Sequence, residues 1–190
     1  MGSRVDANDK RLYGVYSGIV TSVKDDKREG HVNVKFFWYD GGKTEFPCRV
    51  RQLYAGDKFG AFFIPEPKME VLVAFMHGKM GDAVILGGLY NGKDKPPTYR
   101  ADDKDEKMIR TKAGHQIILD DTNGSEKIVI VDKDGNNKIV IDTTKDTITI
   151  SSKSGKISLE ANEINIKSKA DTNIQASGDV NIKGTKINLN

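Results

Sequence analysis

From Lys127 to the end of this 190-residue chain, apolar residues come in pairs at i and i+2, and the pairs recur about every eight residues. The pairs are Ile128/Ile130, Ile139/Ile141, Ile148/Ile150, Ile157/Leu159, Ile164/Ile166, Val180/Ile182 and Ile187/Leu189, with one degenerate unit in which Ile174 is followed by Ala176. Between them stand corners of Gly, Asp, Asn, Ser, Thr and Lys, such as Asp132-Lys133-Asp134-Gly135-Asn136 and Ser152-Lys153-Ser154-Gly155-Lys156. A spacing of two places both members of a pair on one face of a strand, so each unit is a short strand with one apolar face, then a turn. Such a unit cannot fold alone. Burying two aliphatic side chains contributes roughly 3–6 kcal/mol, whereas ordering eight backbone residues costs roughly 8–16 kcal/mol.

The apolar row therefore needs a second wall, and composition narrows what that wall is. All seven Phe, all six Tyr and the one Trp lie between Tyr13 and Tyr99, and all five Pro lie between Pro47 and Pro97. A globular core leans on aromatic area, and the repeat half has none. Two arrangements satisfy the alternation. One is an antiparallel meander of hairpins within a chain. The other is a prism in which three chains contribute strands in turn, with a column of Ile, Val and Leu inside and Lys, Asp and Ser outside. A single row on a flat sheet would face water, and uniform small corners suit a narrow shaft, so the prism is favoured. Eight layers at ~4.8 Å would make it at least roughly 40 Å long.

The first half reads as a small barrel. Val15, Ile19, Val20 and Val23 form a β-rich stretch ended by Lys24-Asp25-Asp26-Lys27-Arg28-Glu29-Gly30, and His31 to Phe36 alternates with period two. Asp40-Gly41-Gly42 reads as a hairpin turn. Phe46 to Leu53 is a third strand, with Cys48 and Val50 on one face and Arg49 and Arg51 on the other. Phe59 to Ile64 is a fourth, stopped by Pro65 and Pro67. Val71 to Met76 reads as buried on both sides. Ala83 to Tyr90 is the last, closed by Asn91-Gly92. Short strands at this spacing fit a Greek-key or OB-type barrel.

At these residues the chain resembles a family, the spike proteins comprising phage baseplate assembly protein V and the type VI secretion VgrG proteins. Gly18-Ile19-Val20 with Gly30-His31-Val32-Asn33-Val34 is similar to the opening of their OB domain. Cys48-Arg49-Val50-Arg51 stands where the family usually carries an aromatic residue and an arginine pair. Phe62-Phe63-Ile64-Pro65-Glu66 through Val71-Leu72-Val73-Ala74-Phe75 resembles the domain core, and Asp82 to Asn91 its close. Thr111 to Asp121 resembles the approach to the needle.

The resemblance implies an all-β fold: an OB-type barrel over residues 1–98, a linker over 99–115, and an intertwined triple-stranded β-helix over 116–190, assembled as a homotrimer. It implies a cell-puncturing spike in the baseplate of a contractile tail or phage-derived injection system, seated on a hub protein near the OB domains and in transient contact with a target membrane. The needle core would be the paired residues above, Ile128 through Leu189. No hub-like domain and no lysozyme-like insertion is recognised, so a mechanical rather than enzymatic role is expected. The segment Lys186-Ile187-Asn188-Leu189-Asn190 lacks the His-x-His of an iron-binding apex, which suggests a surface for a separate PAAR-type tip protein.

Other chemistries find little support. The only cysteine, Cys48, gives no intrachain disulfide framework and reads as a buried, inert thiol. His31, His77 and His115 show no ligand spacing, and Asp132, Asp134 and Asn136 lack the Gly and Glu positions of a calcium loop; no metal or cofactor is expected. No signal-peptide pattern opens the chain, and no apolar run approaches the ~18 residues of a membrane span, so synthesis in the cytoplasm is expected. Net charge is only +3, without the one-signed patch of a nucleic-acid binder. The rival reading is nonetheless an OB barrel that binds single-stranded nucleic acid, through Phe36-Phe37-Trp38-Tyr39 with Lys35, Lys43, Arg49 and Arg51; otherwise these aromatics fill the core and subunit contacts. A trimeric β-helical enzyme on polysaccharide would want aromatic sugar platforms, which the repeat half lacks.

Overall fold

The period-two runs of the first half become strands that alternate inward and outward around a closed barrel. The computed structural model describes residues 11–102 and 104–188, and these divide into two compact units, one ending at Lys104 and one beginning at Asp105. The first unit contains β1 (Val15–Ser22), β2 (His31–Lys35), a single helical turn α1 (Phe37–Asp40), β3 (Glu45–Val50), the two-residue strands β4 (Ala55–Gly56) and β5 (Phe59–Gly60), β6 (Glu70–Phe75) and β7 (Ala83–Gly88). The barrel closes in the order β1-β2-β3-β7-β6. All its neighbours are antiparallel except β3 and β7, which pair parallel. This is an OB-like, Greek-key closure.

Its core is small and dense: Val20, Val32, Val34, Phe36, Cys48, Val71, Val73, Phe75, Ala83 and Ile85. Gly18 on β1 lies tight against the side chains that follow along β2. A Cβ there would stand 2.4 Å from the Val34 Cγ1 and 2.9 Å from the Phe36 ring, so no other residue fits without repacking.

Three local expectations need correction. The run Val71 to Met76 is not buried on both faces: Val71, Val73 and Phe75 point in, while Leu72 and Ala74 are half-buried. Phe59 to Ile64 is not a barrel strand. Only Phe59 and Gly60 pair, with Gly56 and Ala55, and Phe62 and Phe63 stand exposed, so the apolar run reflects an outward-facing loop. Asp40-Gly41-Gly42 does lie in the connection of the antiparallel β2–β3 hairpin, but it ends a helical turn there instead of making a tight two-residue turn. The Gly41 amide closes that turn on the Phe37 carbonyl at φ 71°, and the Asp40 carboxylate accepts the Gly42 and Lys43 amides.

The second unit is a five-stranded sheet in the order β12-β11-β10-β9-β8, built from β8 (Glu106–Arg110), β9 (Gln116–Asp120), β10 (Lys127–Val131), β11 (Asn137–Asp142) and β12 (Thr147–Ser152). Every neighbour is antiparallel. Over residues 106–152 the chain thus pairs with itself as a meander, the arrangement that the alternation also allowed, rather than taking each next strand from another chain. The sheet also starts earlier than expected, since β8 lies in the stretch read as a linker.

Acidic side chains pin its turns. Asp120 accepts the Thr122 amide, Asp132 the Asn136 amide and Asp142 the Lys145 amide, local bonds that compete with continued strand and so set the corners. From 153 to 188 the described residues form no strand, and all of them are exposed.

Candidate functional site: an isoleucine face on the repeat sheet

Register turns the sequence pairs into two rows across the sheet. Ile109 stands opposite Ile117, Ile117 opposite Ile130, Ile130 opposite Ile139, and Ile139 opposite Ile150. Beside that row runs a second, Leu119, Ile128, Ile141 and Ile148, continued on β8 by Lys107. Both rows lie on one face. The other face carries Met108, Ile118, Val129 and Val140, each half-buried. Four strand spacings at ~4.8 Å make the first row roughly 19 Å long.

Among the described residues nothing buries this face. Even on the interior strand β11, Ile139 and Ile141 remain 40% and 37% exposed, and on the edge strand Ile148 and Ile150 reach 73% and 60%. The first row and Ile157 together line an open groove of about 660 Å³. A contiguous apolar patch of this kind marks an interface and is not the scattered exposure normal on a soluble surface.

The structure thus brings together Ile128, Ile130, Ile139, Ile141, Ile148 and Ile150, with Ile157 beside them. Leu159, Ile164, Ile166, Ile174, Val180, Ile182 and Ile187 lie exposed in the segment without strands. Lys186 and Asn188 of the expected tip-binding end are likewise exposed, whereas Leu189 and Asn190 lie outside the described residues. Sequence reasoning missed Ile109, Ile117 and Leu119 as members of the face. Ile117 and Leu119 carry the same i, i+2 signal one unit upstream of where the repeat was counted. Ile109 does not, because its would-be partner is Lys107.

Charge enters the rows only at Lys107, at the β8 end of the second row. Lys107 Nζ donates to Asp105 and Asp121 at 2.6 Å each, and those two bonds raise its pKa. Asp120 ends β9 on the opposite face, 7% exposed. Its carboxyl is held below the usual range by Thr122 first, then by Lys127, whose ammonium lies 3.2 Å away.

Among the described residues no group of three His, Cys, Asp or Glu could hold a metal ion, and no helix is long and apolar enough to cross a membrane. Cys48 is fully buried in the barrel, and burial pushes its thiol up to about 12, the opposite of an activated nucleophile. Of the four consecutive aromatics only Phe36 fills the core; Phe37, Trp38 and Tyr39 stand largely exposed on α1. Two of the basic residues near them are engaged, Lys35 with Glu45 at 3.8 Å and Arg49 with the Met76 sulfur at 2.8 Å.

Comparison with known proteins matches residues 16–90, the barrel, to the type VI secretion system/phage-baseplate injector OB domain. The type VI secretion system spike protein VgrG3 of Vibrio cholerae is 30% identical over 107 residues, covering 52% of this chain and 10% of that protein. The spike protein VgrG5 of Pseudomonas aeruginosa is 26% identical over 131 residues, 62% of this chain and 17% of that protein. The actin cross-linking toxin VgrG1 of Vibrio cholerae is 29% identical over 107 residues, again 52% and 10%. The chain thus matches between 10% and 17% of the length of these relatives.

Proposed function

We propose that this chain, whose barrel belongs to the type VI secretion system/phage-baseplate injector OB family, is a homotrimeric spike that pierces a target envelope mechanically. The observation that carries the reading is the pair of in-register isoleucine rows left uncovered in one chain, in a protein whose other unit is an injector barrel. Three copies of the face turned toward a common axis would bury both rows, which a lone chain cannot do. The spike names of the similar proteins favour the same role.

In this reading the shaft has two zones. Over 106–152 each chain supplies one wall of a three-sided prism, its meander pinned by the acidic turns. Over 153–188 the Ile pairs continue without in-chain ladders, and these strands find their partners on the other chains as an intertwined β-helix. Load along the shaft is then shared among backbone hydrogen bonds that no chain can shed singly, while Lys, Asp and Ser outside keep it soluble. The chemistry asked of the protein is stiffness. A hub protein beside the barrels, a PAAR-type tip protein at the end bearing Lys186 and Asn188, and residence in a baseplate complete the proposal.

Absolute mass by light scattering tests it. The expected value is three chains of 21.0 kDa, persisting into denaturant. A well-folded single-chain mass overturns the reading and brings single-stranded nucleic-acid binding forward.

A further inference from the structure

Two Asn-Gly pairs stand at turns of this chain, Asn91-Gly92 after β7 and Asn123-Gly124 between β9 and β10. An Asn that precedes Gly can react with its own backbone. The glycine amide nitrogen attacks the Asn Cγ, an N–Cγ bond forms, and the Cγ–Nδ2 bond breaks. The amide proton leaves with Nδ2 as ammonia, and a five-membered succinimide remains. Water then opens the ring at either carbonyl, giving Asp or, by cleavage on the main-chain side, isoaspartate. Glycine matters because it has no side chain to obstruct the attack. Sterically the two pairs are alike, since a Cβ built on Gly92 or on Gly124 meets nothing within 4 Å.

Hydrogen bonding separates them. Three bonds hold the Asn91 carboxamide: its Nδ2 donates to Glu70 at 2.8 Å, and its Oδ1 accepts the Lys93 amide at 2.9 Å and the Asp94 amide at 2.7 Å. The Asn91 amide also donates to the Asp94 carbonyl at 2.9 Å, so backbone and side chain are fixed together. A carboxamide tethered in this way must be released before it can react. Asn123, by contrast, is exposed, and among the described residues its carboxamide has no hydrogen-bond partner. It occupies the second position of a turn that the Ser125 amide closes on the Thr122 carbonyl at 2.9 Å, with Gly124 at φ 76°, the type II signature.

We propose that Asn123-Gly124 is a self-modifying site, which passes through the succinimide to isoaspartate in the folded protein, while the same dipeptide at Asn91 is protected. Three bonds of ordinary net strength slow Asn91 by roughly 10- to 100-fold relative to Asn123.

The product bears on the repeat sheet. In the succinimide the Gly124 nitrogen carries no proton, so its bond to Glu126 Oε1, 3.1 Å long, is lost. Glu126 joins this corner to the β11–β12 turn: its Oε2 accepts the Thr144 hydroxyl at 3.2 Å, and its carbonyl accepts the Thr143 amide at 3.2 Å. Isoaspartate then lengthens the main chain by one methylene between Thr122 and Gly124. It also adds a carboxylate to a corner that already holds Asp120, Asp121 and Glu126. The change is permanent, and it needs no second chain.

The full-length chain, incubated at pH 8 and then digested with trypsin, yields residue 123 in the peptide 113–127 and residue 91 in the peptide 80–93. Mass spectrometry should find 113–127 deamidated roughly 10- to 100-fold faster than 80–93, with isoaspartate identified by enzymatic methyl esterification. Incubation in urea should draw the two rates together. Aged protein should unfold at a lower urea concentration than fresh protein. Asn123→Gln, whose longer side chain closes the ring far more slowly, should keep its midpoint on ageing. Equal native rates, or a 113–127 peptide that converts only in urea, would overturn the proposal. Conversion with an unchanged midpoint would overturn its effect on the sheet.

Discussion

Replacing Ile148 and Ile150 with Asp separates a buried column from a merely exposed sheet face. In a lone chain these residues are 73% and 60% exposed, so each contributes only about a third of a full burial there, ~0.5–1 kcal/mol. The single-chain meander should survive their loss. In a trimer the same substitutions place six carboxylates inside the column. At several kcal/mol of desolvation per ion the penalty is on the order of 20 kcal/mol. The nine Ile and Leu residues of the two rows are about half-exposed, so covering them yields at most roughly 7–13 kcal/mol per chain. Against that stands a cost of roughly 4–15 kcal/mol for each chain that joins. Summed over three chains and two joining steps, the mid-range surplus is roughly 10 kcal/mol, about half the penalty, so the trimer should not form. Light scattering should read one chain at neutral pH, with the β-sheet signal of circular dichroism retained. Thr147→Asp with Thr149→Asp adds the same charge to the same strand on its other face, and should leave three chains. A trimer that tolerates Ile148→Asp and Ile150→Asp would refute the inward placement of the rows.

Three further outcomes follow from the geometry. Gly18→Val drives a side chain into Val34 and Phe36 and should destabilise the barrel by about 3 kcal/mol or more, read as a lower denaturation midpoint. The Cys48 thiol, raised to about 12 by burial, should stay unreactive toward a thiol reagent at pH 8 until denaturant opens the barrel; rapid native labelling would contradict its placement. The carboxyl of Asp120 is lowered in the folded state, so its contribution is present above the unfolded carboxylate pKa and is lost as pH falls through the lower, folded value. Asp120→Asn should therefore flatten the acid limb of a urea-midpoint-against-pH curve, and an unchanged limb would exclude Asp120 as a contributor.

What the sequence made legible was the face of each strand, and what it left obscure was the strand's partner. The alternation of Val32 and Val34, and of Val71, Val73 and Phe75, told inside from outside because a closed barrel has only one inside. The same alternation at Ile128/Ile130 and Ile139/Ile141 located the apolar row. It could not tell whether the neighbouring strand came from the same chain, since period two is indifferent to chain identity. Residues 106–152 turned out to pair within the chain, through turns that Asp120, Asp132 and Asp142 cap. Phe59 to Ile64 was misread because an exposed apolar loop and a buried strand have the same composition. The α1 turn was hidden behind Phe36, which continues the alternation of β2 by one residue before the backbone coils. Of the candidate face, the central pairs were legible and Ile109 was not, since Lys107 takes the place of its partner.

The edge position of β12 bears on how such a protein must be made. Thr147-Ile148-Thr149-Ile150-Ser151-Ser152 is an uncharged, proline-free, β-prone stretch, and it lies at the open margin of its sheet. Six residues of this character with unpaired amides and carbonyls are a template for fibril growth. If the chain assembles as proposed, a copy waiting for its companions is a hazard to the cell that produces it, and the hazard rises with the time spent alone. Synthesis in bursts, or close together on one message, would shorten that interval, so the strand that completes the sheet also sets a kinetic demand on expression.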